Sequence, residues 1–472
     1  MAPPESDAAW RQGELIELVI RDLSDRGDGV GRYAGRAVFV PDTVPGDRVQ
    51  VRLMFVKPQF AHGRLIGIFE ASPHRVQPAC IVADKCGGCQ WQHVDYEYQR
   101  TAKRNLVVQA MERIGRFENP PVDELLPMGE VLNYRNKSTY PVGLSEHKTL
   151  NREETPSKVH GKVIAGYYQK GTHAIVNLNQ CPIQDNRLDK ILEIVKQDIQ
   201  KRKWAIYDEK VNQGNIRHIS LRVGRRTGEI LLTIVARDRR TKDLWEQCKE
   251  WMERFELVGV CLNINDRKTN AIFGDETSCI IGRGYLNEEF AGLTFQVRSD
   301  TFFQVNTEQA EKMLEAIEGM LELDGTETIL DAYCGVGTLA LPLAKKVKKV
   351  VGIEVQESAV GQSRLNAEIN GIENTEFHVG SVANILPTLR GLNPTIVLLD
   401  PPRKGCEDTV VDQMLAMKPA KILYMSCNPA TLARDLKLFC DSGAYRLVRI
   451  QPADFFPQTS HVESAALLVR EG

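Results

Sequence analysis

The C-terminal part of the chain alternates short apolar runs with helix-like runs, and this rhythm constrains the fold more than any other sequence feature. The strand-like runs cover residues 328–331, 349–354, 376–379, 395–400 and 421–425. Helix-like segments fill the gaps, for example residues 356–370. Such alternation is typical of βαβ units, which pair their strands in a parallel sheet. We therefore predict an α/β sheet domain over residues 295–472.

Acidic residues end three of these predicted strands. Asp331 ends the first strand, Glu354 the second and Asp400 the fourth. Ligands of open parallel sheets bind at the carboxyl ends of the strands, where a carboxylate can accept hydrogen bonds from a ribose. The turn at residues 335–337 has a Gly-x-Gly pattern but lacks the third glycine of the dinucleotide fingerprint. Together with Asp331 before the turn, this pattern favours an adenosylmethionine site.

A cysteine stands at the end of the last apolar run. Cys427 follows the strand over residues 421–425 and precedes a helix-like run over residues 430–439. Partial positive charge at a helix start favours the thiolate, which is the reactive form of cysteine. A lone cysteine is more often a buried structural residue. The acidic residues at neighbouring strand ends favour a catalytic nucleophile instead.

The N-terminal part of the chain has a different pattern, with short alternating strands separated by turn residues. This spacing predicts a small β-barrel over residues 10–72. Between residues 10 and 70, nine Lys and Arg stand against eight Asp and Glu, so charge alone does not identify an RNA-binding barrel. The run 27–31, with residues 38–41 and 45–47, resembles the RNA-binding TRAM domain.

Three cysteines follow the barrel within ten residues, at positions 80, 86 and 89, and Cys181 stands far along the chain before a proline. Closely spaced thiols suit a soft metal, and both structural zinc and a cubane iron–sulfur cluster need a fourth ligand. Spacing leaves both groups open. A redox disulfide between Cys86 and Cys89 is less favoured, because no thioredoxin-like unit surrounds the pair. Eleven cysteines in a chain of 472 residues also argue against a disulfide framework.

We expect residues 73–294 to form a central α+β domain that carries the cysteine loop and an RNA-binding surface, between an OB-like N-terminal barrel and a Rossmann-like C-terminal sheet. The formal net charge of the whole chain is −2, whereas residues 190–240 carry thirteen Lys and Arg against six Asp and Glu, a local charge of +7. Trp204 directly follows three basic residues, a pattern that suits phosphate contact with base stacking. The helix-like run 95–117 is also basic, and the polar run 145–162 predicts a surface loop. An ordinary solvated face is the competing interpretation for both basic regions.

Several motifs of the sheet domain resemble those of the RNA uracil-5-methyltransferases. The matching runs are residues 302–306, 331–337, 353–354, 400–405, 426–429 and 461–464. With the barrel and the cysteine loop, the resemblance covers nearly the whole chain. It is nearest to the bacterial 23S ribosomal RNA branch, which carries barrel and cluster together. Bacterial transfer-RNA relatives generally lack both.

The resemblance implies a function and a set of site residues. It implies S-adenosylmethionine-dependent methylation of carbon 5 of a uridine, with Cys427 as nucleophile and Glu463 as the base that removes the carbon 5 proton. The implied adenosylmethionine contacts are Gln304, Tyr333, Glu354 and Asp400. The implied ligands of a 4Fe-4S cluster are Cys80, Cys86, Cys89 and Cys181. Thr338 and Ser381 match the pattern too loosely to be included.

Other activities fit the sequence less well. Amino-group methyltransferases prefer an aromatic residue after the Pro-Pro pair, where this chain has Arg403. RNA cytosine-5 enzymes carry a second cysteine directly after a single proline, and Cys406 is not in that position. A transfer-RNA substrate remains the alternative within the family, and a non-catalytic iron–sulfur RNA-binding protein is the alternative outside it.

The remaining expectations concern location and partners. No apolar run is long enough to span a bilayer, and the N-terminus lacks the pattern of a signal peptide. We therefore expect a cytoplasmic enzyme that binds RNA, without a membrane or a protein partner, and that is a monomer.

Overall fold

The structure is a computed structural model that describes residues 10–145, 161–389 and 391–471. Its first element is a closed five-stranded barrel in the order β1-β2-β3-β5-β4. The strands are β1 Leu15–Leu23, β2 Gly29–Tyr33, β3 Arg36–Val40, β4 Arg48–Val56 and β5 Phe60–Glu70. Alternation along the strands directs Val38, Val49 and Val51 into a fully buried core. The predicted N-terminal barrel is confirmed.

A helix connects the cysteine loop to the rest of the molecule. Helix α1 spans Tyr96–Ala110 and continues as one π-helical turn over Met111–Gly115. Asp95 caps it by accepting a hydrogen bond from the Tyr98 amide at 3.0 Å. Val107 and Met111 pack against the C-terminal sheet, so this helix shares a hydrophobic core with that sheet.

The central part of the chain forms a seven-stranded sheet in the order β12-β11-β10-β9-β6-β7-β8. Its strands are β6 Lys137–Leu144, β7 Val163–Tyr168, β8 Ile175–Asn177, β9 Ile216–Val223, β10 Ile230–Ala236, β11 Gly259–Ile264 and β12 Glu276–Gly282. Helices α2 (Asp189–Lys201) and α3 (Leu244–Phe255) contribute their apolar sides to the core of this sheet. Residues 146–160 of the predicted surface loop lie outside the described residues.

A hairpin and a helix lead into the C-terminal sheet. Strands β13 (Tyr285–Phe290) and β14 (Leu293–Arg298) pair with each other and pack on the core of that sheet, and α4 spans Thr307–Leu321. The sheet has the order β17-β16-β15-β18-β19-β21-β20. Its strands are β15 Thr328–Asp331, β16 Lys349–Glu354, β17 Thr375–Val379, β18 Ile396–Leu399, β19 Lys421–Ser426, β20 Tyr445–Ala453 and β21 Glu463–Arg470.

Helices cover both faces of the C-terminal sheet. They are α5 Ala340–Ala344, α6 Glu357–Ile369, α7 Val382–Ile385, α8 Asp408–Met417 and α9 Pro429–Asp441. Helices α4, α5 and α6 pack on one face, and α7, α8 and α9 pack on the other. Strands β15 to β19 are parallel, whereas β21 runs antiparallel to both of its neighbours. The predicted α/β fold class is confirmed, and each of the five predicted strands is found within one residue at each end.

The basic block at residues 190–240 is largely engaged within the protein. Arg217 and Arg222 are buried, and Arg225 forms ion pairs with Asp185 at 2.6 Å and Glu308 at 2.8 Å. The interpretation of Trp204 as a base-stacking residue is wrong. Trp204 is buried against Trp251, with ring centroids 6.0 Å apart, because it completes the core under α2 and α3. Within the described ranges, no helix is both long and apolar enough to cross a membrane.

Candidate active site

A cavity of about 870 Å³ opens at the carboxyl edge of the C-terminal sheet. Its wall includes the six residues predicted for catalysis and cofactor binding: Gln304, Tyr333, Glu354, Asp400, Cys427 and Glu463. Four different strands end at this edge, and a segment before α4 closes one side. The fold therefore brings together residues that are separated by up to 159 positions in the sequence.

Strand register sets the relation between Cys427 and Glu463. Strands β19 and β21 are antiparallel, with Ser426 opposite Ser464. Continuing this register by one residue places Cys427 opposite Glu463. Directly opposed residues in such a pair have Cβ atoms about 4.5–5.5 Å apart. The thiol and the carboxyl therefore face the same small volume.

The backbone around Cys427 is fixed by its neighbours. Ser426 Oγ accepts a hydrogen bond from the Asn428 amide at 3.1 Å, and Asn428 Oδ1 accepts one from the Ala430 amide at 3.0 Å. Asn428 is the N-cap of α9, and Pro429 occupies the first turn, where its missing N–H costs nothing. Cys427 thus lies on a short connection between strand and helix that is held by hydrogen bonds on both sides of it.

The surroundings raise the pKa of the Cys427 thiol above its ordinary value, first through burial and then through the nearby charge of Glu463. Arg403 opposes this effect, since its positive charge favours the thiolate. The helix start was expected to favour the thiolate, but the pKa of the thiol in the free protein is raised overall. Burial outweighs the favourable charges.

Three carboxyl groups at this edge hold their protons more tightly than ordinary carboxyls. Burial raises the pKa of Glu463 to about 8, with Asp400 adding to the effect and Arg403 opposing it. Burial also raises the pKa of Asp400 to about 6. The pKa of Asp331 rises to about 7 through burial and the charges of Asp400 and Glu354. A carboxyl that titrates near neutral pH is suited to accept a proton during a reaction.

The other end of the cavity is built from a glycine turn and Glu354. The Glu354 carboxylate accepts hydrogen bonds from the Gly335 amide at 3.2 Å and the Gln356 amide at 2.8 Å. Gly335 and Gly337 have φ values of 54° and 91°, which a residue with a side chain rarely adopts. The glycine turn therefore brings its backbone close to the Glu354 carboxylate, whose orientation the two hydrogen bonds fix. This arrangement fits the adenosine half of S-adenosylmethionine.

The four predicted metal ligands meet at a second, much smaller cavity of about 20 Å³, lined by Cys80, Cys86, Cys89 and Cys181. Burial raises the pKa of Cys89 to about 11 and that of Cys181 to about 12, so both are neutral thiols in the free protein. In the described part of the chain, no group of three His, Cys, Asp or Glu side chains is arranged to hold a single metal ion. Four sulfur donors around one cavity fit a group of soft metal character.

The connection between β20 and β21 carries the approach to Glu463 and is anchored by the central part of the chain. Lys103 and Asp454 form a fully buried ion pair with an N–O distance of 2.6 Å. The backbone amide of Gln458 donates a hydrogen bond to Gln99 Oε1 at 2.9 Å, and the side-chain Nε2 of Gln99 donates one to Gln458 Oε1 at 3.1 Å. The Trp91 amide, just after the cysteine loop, donates to the Gln458 carbonyl at 2.9 Å. Lys103, in the predicted basic helix, therefore serves a structural role.

Sequence reasoning assigned no role to several other residues of the cavity wall. Arg403 and Phe302 both line the cavity and stand inside the recognised motifs, so a signal for them was present. Phe302 is 65% exposed, an unusual position for a phenylalanine. Ser381, set aside as a loose match, also lines the cavity. Arg135 reaches it from the central part of the chain, and nothing in its local sequence marks it.

Comparisons with known proteins agree with this geometry. The family model "tRNA (Uracil-5-)-methyltransferase" matches residues 167–471, and the TRAM domain model matches residues 9–66. The chain is 60% identical over 463 residues to an uncharacterized RNA methyltransferase of Nostoc sp., covering 98% of each chain. It is 50% identical to another from Synechocystis sp., covering 97% of this chain and 96% of the relative.

A solved structure resembles the whole molecule. The Pyrococcus abyssi tRNA (uracil-54, C5)-methyltransferase in complex with S-adenosyl-L-homocysteine is 28% identical, with a TM-score of 0.74. The match covers 96% of this chain and 100% of that one. The resemblance drawn from the sequence motifs is confirmed. The chain therefore belongs to the RNA uracil-5-methyltransferase family, and its N-terminal barrel is a TRAM domain.

Proposed function

We propose that this protein transfers a methyl group from S-adenosylmethionine to carbon 5 of a uridine in RNA. One observation carries the proposal: the strand register sets Cys427 opposite Glu463, on the wall of a cavity that also holds Glu354 and Asp400. The Pyrococcus abyssi relative bound to S-adenosyl-L-homocysteine supports the choice of methyl donor.

The proposed mechanism uses the Cys427 thiolate as nucleophile and the Glu463 carboxylate as base. Carbon 5 of uracil is a weak nucleophile, and addition of the Cys427 thiolate to carbon 6 converts the ring to an enolate that is nucleophilic at carbon 5. Bound S-adenosylmethionine supplies an electrophilic methyl group. Glu463 then accepts the carbon 5 proton, the carbon 6–sulfur bond breaks, and the ring double bond is restored. Arg403 assists by stabilising the thiolate both before addition and after elimination.

Two substitutions test the assignment of these roles. Cys427→Ala removes the nucleophile, so neither methyl transfer nor a protein–RNA adduct is expected. Glu463→Gln keeps the nucleophile and removes the base, so it is expected to transfer one methyl group and remain attached to its RNA. Denaturing gels with methyl-labelled S-adenosylmethionine reveal this species as a slow, labelled band.

Cys440→Ala is the matched control. Cys440 lies on α9 and, like Cys427, has a partly buried thiol, but it is not part of the cavity wall. It is expected to retain wild-type methylation. Wild-type methylation by Cys427→Ala would refute the proposed mechanism. Loss of product without a trapped adduct in Glu463→Gln would assign Glu463 a binding role instead.

We propose 23S ribosomal RNA as the substrate, because the chain combines the barrel with the four-cysteine set. Transfer RNA is the second candidate, since the Pyrococcus abyssi enzyme that acts on tRNA matches the chain over almost its full length. Mass mapping of 5-methyluridine in both RNA classes from cells lacking the protein separates the two. Loss confined to transfer RNA would refute the ribosomal assignment.

We also propose that the four cysteines bind a 4Fe-4S cluster, with zinc as the alternative. The cavity that all four thiols line supports a group held by four sulfur atoms. Metal binding would remove the thiol protons that burial retains in the free protein. Protein purified without oxygen is expected to be brown and to contain iron and acid-labile sulfide. Colourless protein with stoichiometric zinc would contradict the cluster.

A further inference from the structure

A row of aromatic side chains crosses the outer surface of the TRAM barrel. Phe39 on β3 is paired with His62 on β5, and His62 is paired on its other side with Phe55 on β4. The Phe39 and His62 rings are stacked, with centroids 5.3 Å apart, and the Phe55 ring lies 6.3 Å from His62. Phe60 meets His62 edge-on at 5.6 Å. We call these four residues the aromatic row.

The aromatic row does not belong to the barrel core. The inward positions on the same strands are filled by Val38, Leu53 and Ala61, each fully buried. Phe55 is 47% exposed, and the other three rings are partly exposed. A group of exposed aromatic rings on adjacent strands is typical of a surface that binds a partner. Their spacing across three strands is that of a surface on which successive bases can stack.

Cations flank the aromatic row on both sides. Arg52 and Arg64 are paired with each other, three residues from Phe55 on β4 and two residues from His62 on β5. Arg32 lies on the opposite flank, in register with Ala37 and Phe60. Lys57 lies with its ammonium 5.1 Å from the centre of the Phe55 ring. Among the described residues, none of these four cations forms an ion pair with a carboxylate. They are exposed and available to phosphate groups.

The turn between β1 and β2 lies between the aromatic row and the catalytic cavity. The turn between β1 and β2 approaches His62 through Asp28, whose pKa is raised, mainly by burial. The same turn contacts the connection before Glu463, where Ser460 Oγ donates a hydrogen bond to the Asp25 carbonyl at 2.8 Å. Thr459 and His461, on either side of Ser460, line the catalytic cavity. RNA that leaves the cavity past Thr459 and His461 therefore meets this turn of the barrel next.

We propose that the aromatic row binds unpaired nucleotides that flank the target uridine, with their bases on the rings and their phosphates on the flanking cations. This proposal rests on the proposed function, because it takes its ligand from the same RNA. Unpaired RNA is the favoured occupant because stacking on a protein surface requires free base faces. An exposed apolar surface for a protein would not require four unpaired cations at its edges.

The test measures binding of the full-length protein to a fluorescein-labelled, unpaired 12-nucleotide RNA of mixed sequence, by anisotropy at several salt concentrations. Phe55→Ala is expected to weaken binding about 5- to 100-fold, the usual effect of removing one stacking ring. Phe39→Leu keeps apolar volume and is expected to weaken binding in the same direction. Arg64→Gln is expected to flatten the salt dependence by about one unit of slope.

Phe69→Ala is the matched control. Phe69 is also on β5 and is 50% exposed, but it lies outside the aromatic row. Its substitution is expected to leave RNA affinity unchanged. Wild-type affinity in both Phe55→Ala and Phe39→Leu would overturn the proposal, and so would an equal loss in Phe69→Ala. An equal loss for a 12-base-pair RNA duplex would overturn the role of stacking on unpaired bases.

Failure of this proposal is distinguishable from failure of the proposed function. RNA affinity is measured without a methyl donor, whereas adduct formation by Glu463→Gln reports on the chemistry. A trapped adduct together with unchanged affinity in the Phe55 and Phe39 variants overturns only the aromatic row. Specific loss of affinity without any uridine methylation by the wild-type protein supports the aromatic row and overturns only the chemistry.

Discussion

Glu463 is expected to make the protein less stable as pH rises, and Glu463→Gln isolates the effect. Glutamine has nearly the shape of glutamate and cannot ionise. The native carboxyl has a pKa of about 8, raised from 4.5 mainly by burial. Between these two values the unfolded chain has lost the proton while the native protein keeps it. The unfolding free energy of the wild-type protein therefore falls as pH rises through this window.

The magnitude follows from the same two values. A change of one pKa unit corresponds to about 1.36 kcal/mol, so a rise from 4.5 to about 8 sets a ceiling of about 5 kcal/mol above pH 8. Water entering the open cavity reduces this amount by solvating the carboxylate. We expect Glu463→Gln to gain at least about 1 kcal/mol of stability relative to the wild-type protein between pH 5 and pH 9.

The assay is urea unfolding of the RNA-free protein at pH 5, 7 and 9. Near pH 5 the native wild-type protein and the variant both carry a neutral group at this position, so their stabilities are expected to be closest there. Glu407→Gln is the matched control, because Glu407 lies on the same cavity wall but is exposed. The reasoning is refuted if Glu463→Gln gains no stability relative to wild type at pH 9, or if Glu407→Gln shows the same gain.

Three further predictions concern other parts of the molecule. Lys103→Met leaves Asp454 buried without its partner and is expected to cost about 3–5 kcal/mol of unfolding free energy, measured by urea unfolding; a change below about 1 kcal/mol would contradict the structural role. Cys181→Ser is expected to lower bound iron and sulfide without abolishing S-adenosylmethionine binding, measured by metal analysis and calorimetry; unchanged iron content would exclude Cys181 as a ligand. Arg202→Gln is expected to leave the salt dependence of RNA binding unchanged, because Arg202 already pairs with Glu250 at 2.9 Å; a flatter dependence would identify the basic block as an RNA surface.

The strands of the C-terminal sheet could be located from sequence because they are buried on both faces. A strand covered by helices on both sides reads as a continuous apolar run, and its polar end marks the edge of the sheet. Asp331, Glu354 and Asp400 each stand at such an edge. The meeting of Glu354 and Asp400 in one cavity, with Asp331 buried close to both, follows from parallel strand direction alone.

The charged residues of the central region could not be interpreted in the same way. Lys103 finds Asp454 across 351 residues, and Arg225 finds Glu308 across 83. The local charge includes the cation of each pair, but its anionic partner lies far away in the sequence and is not included. Trp204 shows the same limit, since a tryptophan after three basic residues has the same local pattern whether it faces RNA or fills a core.

The pKa of the Cys427 thiol depends on opposing effects of burial and nearby charge, and these effects could not be predicted from the sequence. The helix start after Cys427 was visible, and its partial charge favours the thiolate. Burial of the sulfur and the nearness of Glu463 act in the opposite direction, and the pKa of the thiol is raised overall. Glu463 stands 36 residues away in the sequence and becomes adjacent only through strand pairing.

The reversed direction of β21 explains how one sheet edge can hold both the proposed nucleophile and the proposed base. Cys427 follows the last residue of β19, whereas Glu463 is the first residue of β21. In a parallel pair these two positions would lie at opposite edges of the sheet, so the proposed chemistry requires an antiparallel strand. The connection over residues 454–462 must then pass across the catalytic edge, and Lys103 and Gln99 of α1 hold it there. The central part of the chain is therefore a structural component of the catalytic site.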